Sequence, residues 1–208
     1  MIVGLTGSIA MGKSETARLF STRGVPVFDS DFAVHELYSP SGAAVEAIGA
    51  IAPAAIDKRF VDRKILAELV ARTPPLLKQI EAIVHPLVQA AQEAFVLAAS
   101  RSGAPFVVID IPLLFETGRE RELNRTIVVS APADIQRRRA LSRSSMSEEK
   151  LDFILSKQMP DVEKRRKADF VIDNSGTLEN TAMQVDRIIS TLMTETERKR
   201  DAGSDPRH

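Results

Sequence analysis

The stretch Gly4–Ser14, "GLTGSIAMGKS", carries an apolar segment into glycines and then into a lysine followed by a hydroxyl residue. Gly7, Gly12, Lys13 and Ser14 satisfy the pattern GxxxxGK[ST]. "MIVGLTG" reads as a strand leading into it, and "SETARLFSTRG" as a helix leading out. That is the setting in which such a loop cradles phosphate: glycines let backbone N–H groups close on the oxygens, and the helix aims its first unpaired N–H groups and positive dipole end at the same point. The loop residues Gly7, Ser8, Ile9, Ala10, Met11, Gly12, Lys13, Ser14 and Glu15 are therefore expected to hold ATP. Lys13 is expected to reach the β- and γ-phosphates, and Ser14 to coordinate a Mg²⁺ ion that bridges them.

Working outward, four further apolar runs follow: "VPVFDSD", "PFVVIDIPLLFE", "RTIVVSAP" and "ADFVIDNSG". They are continuously apolar where a half-exposed strand would alternate, and helical stretches separate them. This predicts an α/β fold in which a parallel five-stranded sheet is flanked by helices on both faces, as in P-loop NTPases and kinases. A single kinase domain is expected over residues 1–195, with a helical acceptor-side insertion over about 35–100 and a lid over about 140–168. Within the insertion, Leu76, Ile80, Val84, Leu87 and Phe95 recur at the spacing of one buried helix face. Pro86 lacks an N–H and crowds the preceding turn, so a kink or break is expected there, with His85 marking the joint. In the lid, Ser147 is expected to cap a helix. The polar end from residue 196 to 208 shows no apolar periodicity and is expected to be disordered.

The chain has 208 residues with 28 basic and 28 acidic side chains, so no global field favours a polyanion and no nucleic-acid partner is expected. Zero cysteines exclude disulfides, thiolate metal sites and cysteine nucleophiles, and three histidines argue against a zinc cluster. Neither a leader segment nor a run of eighteen uninterrupted apolar residues is evident, so a cytoplasmic protein without a membrane partner is expected.

A phosphate cradle leaves the acceptor open. "VPVFDSD" brings Asp29 and Asp31 to the carboxyl end of a strand, where open α/β sheets keep their ligands. At strand spacing, i and i+2, both carboxylates would face one site. Asp31 is the candidate to take the proton of an attacking hydroxyl and Asp29 a water-mediated metal partner; the competing reading is that both cap the helix beginning near Phe32. Asp110, after the run "FVVI", is placed like a Walker B aspartate that holds Mg²⁺ through water, or else caps a turn. Leu113, Leu114 and Phe115 are either core or an apolar wall for the acceptor. Arg139 and Arg143 are candidates to stabilise the migrating phosphoryl group when the lid closes, more so than Arg137.

In order along residues 1 to about 190, "VGLTGSIAMGKS", "VPVFDSD", "IVHPLV", "VVIDIPLLFETG", "RRRALSRS" and "KQMPDVEKRRKADFVIDNSG" resemble the motifs of the dephospho-coenzyme A kinases. The resemblance implies phosphorylation of the ribose 3′-hydroxyl of dephospho-CoA by ATP, giving CoA and ADP in the last step of CoA synthesis. It implies Asp31 as general base, Lys13 and Ser14 as phosphate and metal residues, and Arg143 as a lid arginine. It also implies Asn174 near the adenine, and His85 with the "PLLFE" segment on the acceptor side. The family loop usually reads GGIGSGKST, so Ser8, Ala10, Met11 and Glu15 depart from it, and Ser144 stands where an aspartate is common. Ala10 is tolerable at negative φ and costly at positive φ. Glu15 would weaken nucleotide binding unless turned outward. A GTPase would need an NKxD element, which is absent. The rival readings are a nucleoside monophosphate kinase and a non-catalytic ATP sensor.

Overall fold

A computed structural model describes residues 1–144 and 146–203. The chain divides into two compact units, residues 1–27 with 99–208, and residues 28–98. In chain order the elements begin with β1 (Ile2–Thr6), α1 (Lys13–Thr22), β2 (Val27–Asp29), α2 (Ser30–Tyr38) and α3 (Val45–Ile51). A short 3-10 turn, Pro53–Ala55, precedes the hairpin strands β3 (Ile56–Asp57) and β4 (Phe60–Val61). Next come α4 (Arg63–Arg72), α5 (Pro75–Arg101) and β5 (Val107–Asp110). A second 3-10 turn, Arg119–Glu122, leads to β6 (Arg125–Ser130), α6 (Ala133–Leu141), α7 (Glu148–Lys157), α8 (Asp161–Lys167), β7 (Phe170–Asp173) and α9 (Leu178–Gly203).

The expected sheet is present. Five strands run in the order β2-β5-β1-β6-β7, with parallel pairing of β1 to β5, β1 to β6 and β6 to β7. β1 is central because it is apolar on both faces: Val3 and Leu5 are fully buried, as are Ile127 and Val129 of β6 beside them. They form one core with Leu19 and Phe20 of α1 and Val185, Ile188 and Leu192 of α9. Chain order departs from β1 to one side of the sheet and returns to β6 on the other. The carboxyl end of β1 is thus a topological switch point, where such sheets form a ligand crevice.

The second unit has its own core, built from Tyr38, Ile48, Val61, Leu66, Leu76, Ile80 and Val84. Asp62 caps α4 by accepting from the N–H groups of Lys64 and Ile65. α5 corrects the expected break. The helix is continuous through Pro86, because a 27-residue helix anchored by buried Ile80 and Val84 tolerates the loss of one internal hydrogen bond. His85 is therefore an ordinary exposed helical residue and no joint.

The C-terminal expectation also changes. Instead of fraying from residue 196, the chain stays helical to Gly203. Glu195 pairs with Arg125 at 3.1 Å, and Thr196 is buried with its hydroxyl donating to the Leu192 carbonyl at 2.8 Å. The Glu195–Arg125 pair ties the last turns to β6, while the Thr196 bond stays within α9. Residues 204–208 lie outside the described residues.

Candidate active site

The loop between β1 and α1 is shaped at both ends by glycine. A Cβ on Gly7 would meet the Val129 carbonyl oxygen at 2.7 Å, so only glycine lets the loop pass β6. Gly12, at φ 93°, turns the chain into α1, and a Cβ there would lie 1.9 Å from Nδ2 of Asn174. No side chain caps α1. Its first N–H groups and positive dipole end are thus presented by Lys13, Ser14 and Glu15, the arrangement that binds phosphate. Ser14 is exposed there.

Lys13 forms a salt bridge with Asp110. The register explains the pairing: Asp110, the last residue of β5, lies beside Leu5 of β1, so its carboxylate emerges at the same sheet edge as the loop. Asp110 is buried, 4% exposed. Among the described residues, no group of three His, Cys, Asp or Glu side chains that could hold a metal occurs. The donors Ser14 and Asp110 still fit Mg²⁺, which is ordinarily held by one or two carboxylates together with substrate phosphates and water.

Two departures in the loop are resolved. Glu15 turns to Arg18, which donates to it from Nε at 3.1 Å, and this pairing holds its carboxyl below the usual range. Ala10 takes the costlier alternative, with φ 61°. Its methyl is buried with Ala140 and Leu151.

Asn174 donates to the Met11 carbonyl at 2.8 Å and accepts from the Thr181 hydroxyl at 2.9 Å, which pins the loop to α9. In this position both ends of its amide are engaged with protein. Arg139 in α6 has one fully buried guanidinium nitrogen, Nη1, with no hydrogen-bond partner among the described residues. Such a group is costly unless something accepts from it. Arg143 is exposed in the turn after α6. Arg137 pairs with Glu148 and, at 2.9 Å, with Asp152, joining α6 to α7. The expected Ser147 cap on α7 is present, accepting from the Lys150 N–H at 3.2 Å.

Of the apolar trio after β5, Leu114 and Phe115 are core, 0% and 5% exposed, and only Leu113, at 41%, can face a ligand. The neighbouring Glu116 was missed by sequence reasoning. It forms an ion pair at 2.8 Å with Lys164, which is wholly buried. Burial alone would raise the Glu116 carboxyl, but Lys164 and the Met159 N–H outweigh it and hold it below the usual range. Lys164 lies in the run "EKRRK", whose composition signals only a solvated face.

The second unit holds Asp29, Asp31 and His85. The strand argument for the aspartates fails, because β2 ends at Asp29 and α2 begins at Ser30. Asp29 is the N-cap of α2, accepting from the Phe32 N–H at 2.9 Å, which accounts for it without a metal. Asp31 does not cap. It is exposed on the first helical turn, where the helix dipole favours a carboxylate.

Comparison with known proteins decides among the phosphate-loop enzymes. The dephospho-CoA kinase family profile matches residues 1–182. The chain belongs to the dephospho-CoA kinase family. A dephospho-CoA kinase of Brucella melitensis is 47% identical over 192 residues, spanning 92% of this chain and 95% of the relative. One from Mesorhizobium japonicum is 49% identical over 192 residues, spanning 92% and 96%. Among solved structures, one from Thermus thermophilus superposes with a TM-score of 0.77 at 37% identity, covering 94% of this chain and 97% of its own. The dephospho-CoA kinase from Campylobacter jejuni gives 0.70 at 25% identity, covering 93% and 98%. A dephospho-CoA kinase is thus an ATP-dependent enzyme built on the sheet and loop described above.

Proposed function

We propose that the chain transfers the γ-phosphoryl group of ATP to the ribose 3′-hydroxyl of dephospho-CoA, giving CoA and ADP. The observation that carries this reading is the uncapped start of α1 behind the Gly7–Ser14 loop, with Lys13 held at the edge of the sheet by Asp110, in a chain of this family. The loop N–H groups and Lys13 bind the β- and γ-phosphates. Ser14 would hold the nucleotide's Mg²⁺, with Asp110 acting through water. When bound, the ion would supply neutralisation of the phosphate charge.

In transfer, the ribose 3′-oxygen forms a bond to the γ-phosphorus as the bond from that phosphorus to the β,γ-bridging oxygen breaks. Asp31 orients the hydroxyl and takes its proton. ADP leaves with the bridging oxygen. Arg139, whose buried Nη1 has no partner among the described residues, donates to a phosphate oxygen, and Arg143 adds positive charge from the lid. By the family resemblance, Asn174 serves the adenine of the nucleotide, and His85 and Leu113 serve the acceptor. A cytoplasmic protein acting on small molecules, with neither nucleic acid nor membrane as partner, follows from the same reading.

The test compares wild type with Asp31→Asn, measuring Mg²⁺–ATP binding and CoA formation separately. Intact binding with kcat lowered about 10²- to 10⁴-fold is expected for a lost general base. An unchanged kcat would remove Asp31 from the chemistry.

A further inference from the structure

Ile9, at the apex of the phosphate loop, gives neither of its peptide groups to the loop itself. Its N–H donates to Oε1 of Gln158 at 3.0 Å, and its carbonyl accepts from Nε2 of Gln136 at 2.9 Å. Gln136 lies in α6 and is 7% exposed. Gln158 is the C-cap of α7, with its own N–H donating to the Leu155 carbonyl at 3.1 Å. The two amides therefore grip one residue, through the peptide groups on either side of it, from two helices, α6 and α7.

The surroundings reinforce the contact. Ala10, the next residue, packs with Ala140 and Leu151, and Ile9, Leu141, Met146 and Leu155 close around them. Arg137 holds α6 to α7 through Glu148 and Asp152, so the two helices present their glutamines together. Ala10 stands in the left-handed region at φ 61°, a conformation that costs about 1–2 kcal/mol for a residue with a Cβ. It persists only where neighbours fix it. Here the neighbours belong to α6 and α7.

We propose that Gln136 and Gln158 are positioning residues: an amide clamp through which docking of α6 and α7 sets the shape of the phosphate loop. The clamp makes nucleotide affinity depend on the docking of α6 and α7. It rests on the reading of the Gly7–Ser14 loop as the phosphate site.

The chemistry of the clamp is asymmetric, and that supplies the test. Gln158 acts as an acceptor, so Gln158→Glu keeps an oxygen for the Ile9 N–H. Gln136 acts as a donor, so Gln136→Glu sets a carboxylate against the Ile9 carbonyl. Binding of Mg²⁺–ADP to the full-length protein, measured by calorimetry beside each variant's Tm, reads the difference. Gln158→Glu should hold affinity within about threefold, whereas Gln158→Met and Gln136→Glu should each lose about tenfold, equivalent to about 1.4 kcal/mol. Gln136→Met removes the donor without adding charge and should also lose affinity with its Tm nearly unchanged. It stands in for Gln136→Glu if that variant does not fold. Glutamate variants that behave alike, or affinities that follow Tm alone, would overturn the clamp. A wild type that binds no Mg²⁺–ADP would overturn the phosphate-site reading and the clamp with it.

Discussion

Lys13 and Asp110 form a salt bridge across adjacent strand ends, tying the phosphate loop to β5. The lysine is 16% exposed at its side chain and the aspartate 5%, so the loop's one ammonium rests in a nearly closed site. Binding of ATP has to draw that charge toward the phosphates.

Removing the ammonium should therefore have two separable effects. Lys13→Met is expected to lower kcat about 10²- to 10³-fold, the cost typical of losing one electrostatic contact to the transferring group. It also removes the salt bridge from Lys13 to the buried Asp110 carboxylate, at about 1–3 kcal/mol of stability. Urea unfolding of Lys13→Met, Asp110→Leu and the double variant checks the second effect: the double should be less destabilised than the sum of the singles.

Acid should act through Glu116. Its carboxyl lies below the usual glutamate range in the folded protein, so it contributes stability that is present above that range and is lost as pH falls through the folded value. Unfolding free energy measured from pH 7 to pH 3 should fall less steeply in Glu116→Gln than in wild type. Lys164→Met should destabilise at neutral pH by about 3–5 kcal/mol, because it strands a buried carboxylate. Pairing it with Glu116→Leu should recover most of that loss.

At Ala10 the expected outcome depends on side-chain shape. Relief of the left-handed backbone in Ala10→Gly is offset by lost methyl packing and by a freer unfolded chain, so Tm should move little. Ala10→Val places a β-branched side chain at φ 61° and should cost about 2 kcal/mol or more. Thermal unfolding of the two variants distinguishes this from a site that only requires bulk.

For Glu15 the relevant contact is Arg18. Arg18→Ala frees the carboxylate to turn toward the phosphates, and KM for ATP should rise about two- to fivefold at low ionic strength and less in high salt. Titrating KM against salt concentration checks both halves of that expectation.

Much of this was legible in the chain. The phosphate loop is a local pattern, so spacing along the backbone suffices to place Gly7, Gly12, Lys13 and Ser14. Strands buried on both faces show as continuous apolar runs, which located the five-stranded sheet. What escaped is tertiary. β2 stops at Asp29, short of Asp31, which falls on α2 instead, so the i, i+2 argument did not apply. Pro86 reads as a breaker until the packing of Ile80 and Val84 is known. Lys164 hides in a charged run because only its distant partner Glu116 makes burial tolerable. Gln136 and Gln158 carry no local signal, since their shared partner, Ile9, lies 127 and 149 residues away.

The most direct test supplies purified protein with limiting Mg²⁺–ATP and equal amounts of dephospho-CoA and AMP, then quantifies products by mass spectrometry with NMR assignment of the new phosphate. Nearly every ADP formed should be matched by one CoA bearing phosphate on the ribose 3′-oxygen, with the added AMP unchanged. Phosphorylation of AMP instead, or ADP formation without CoA, would contradict the account.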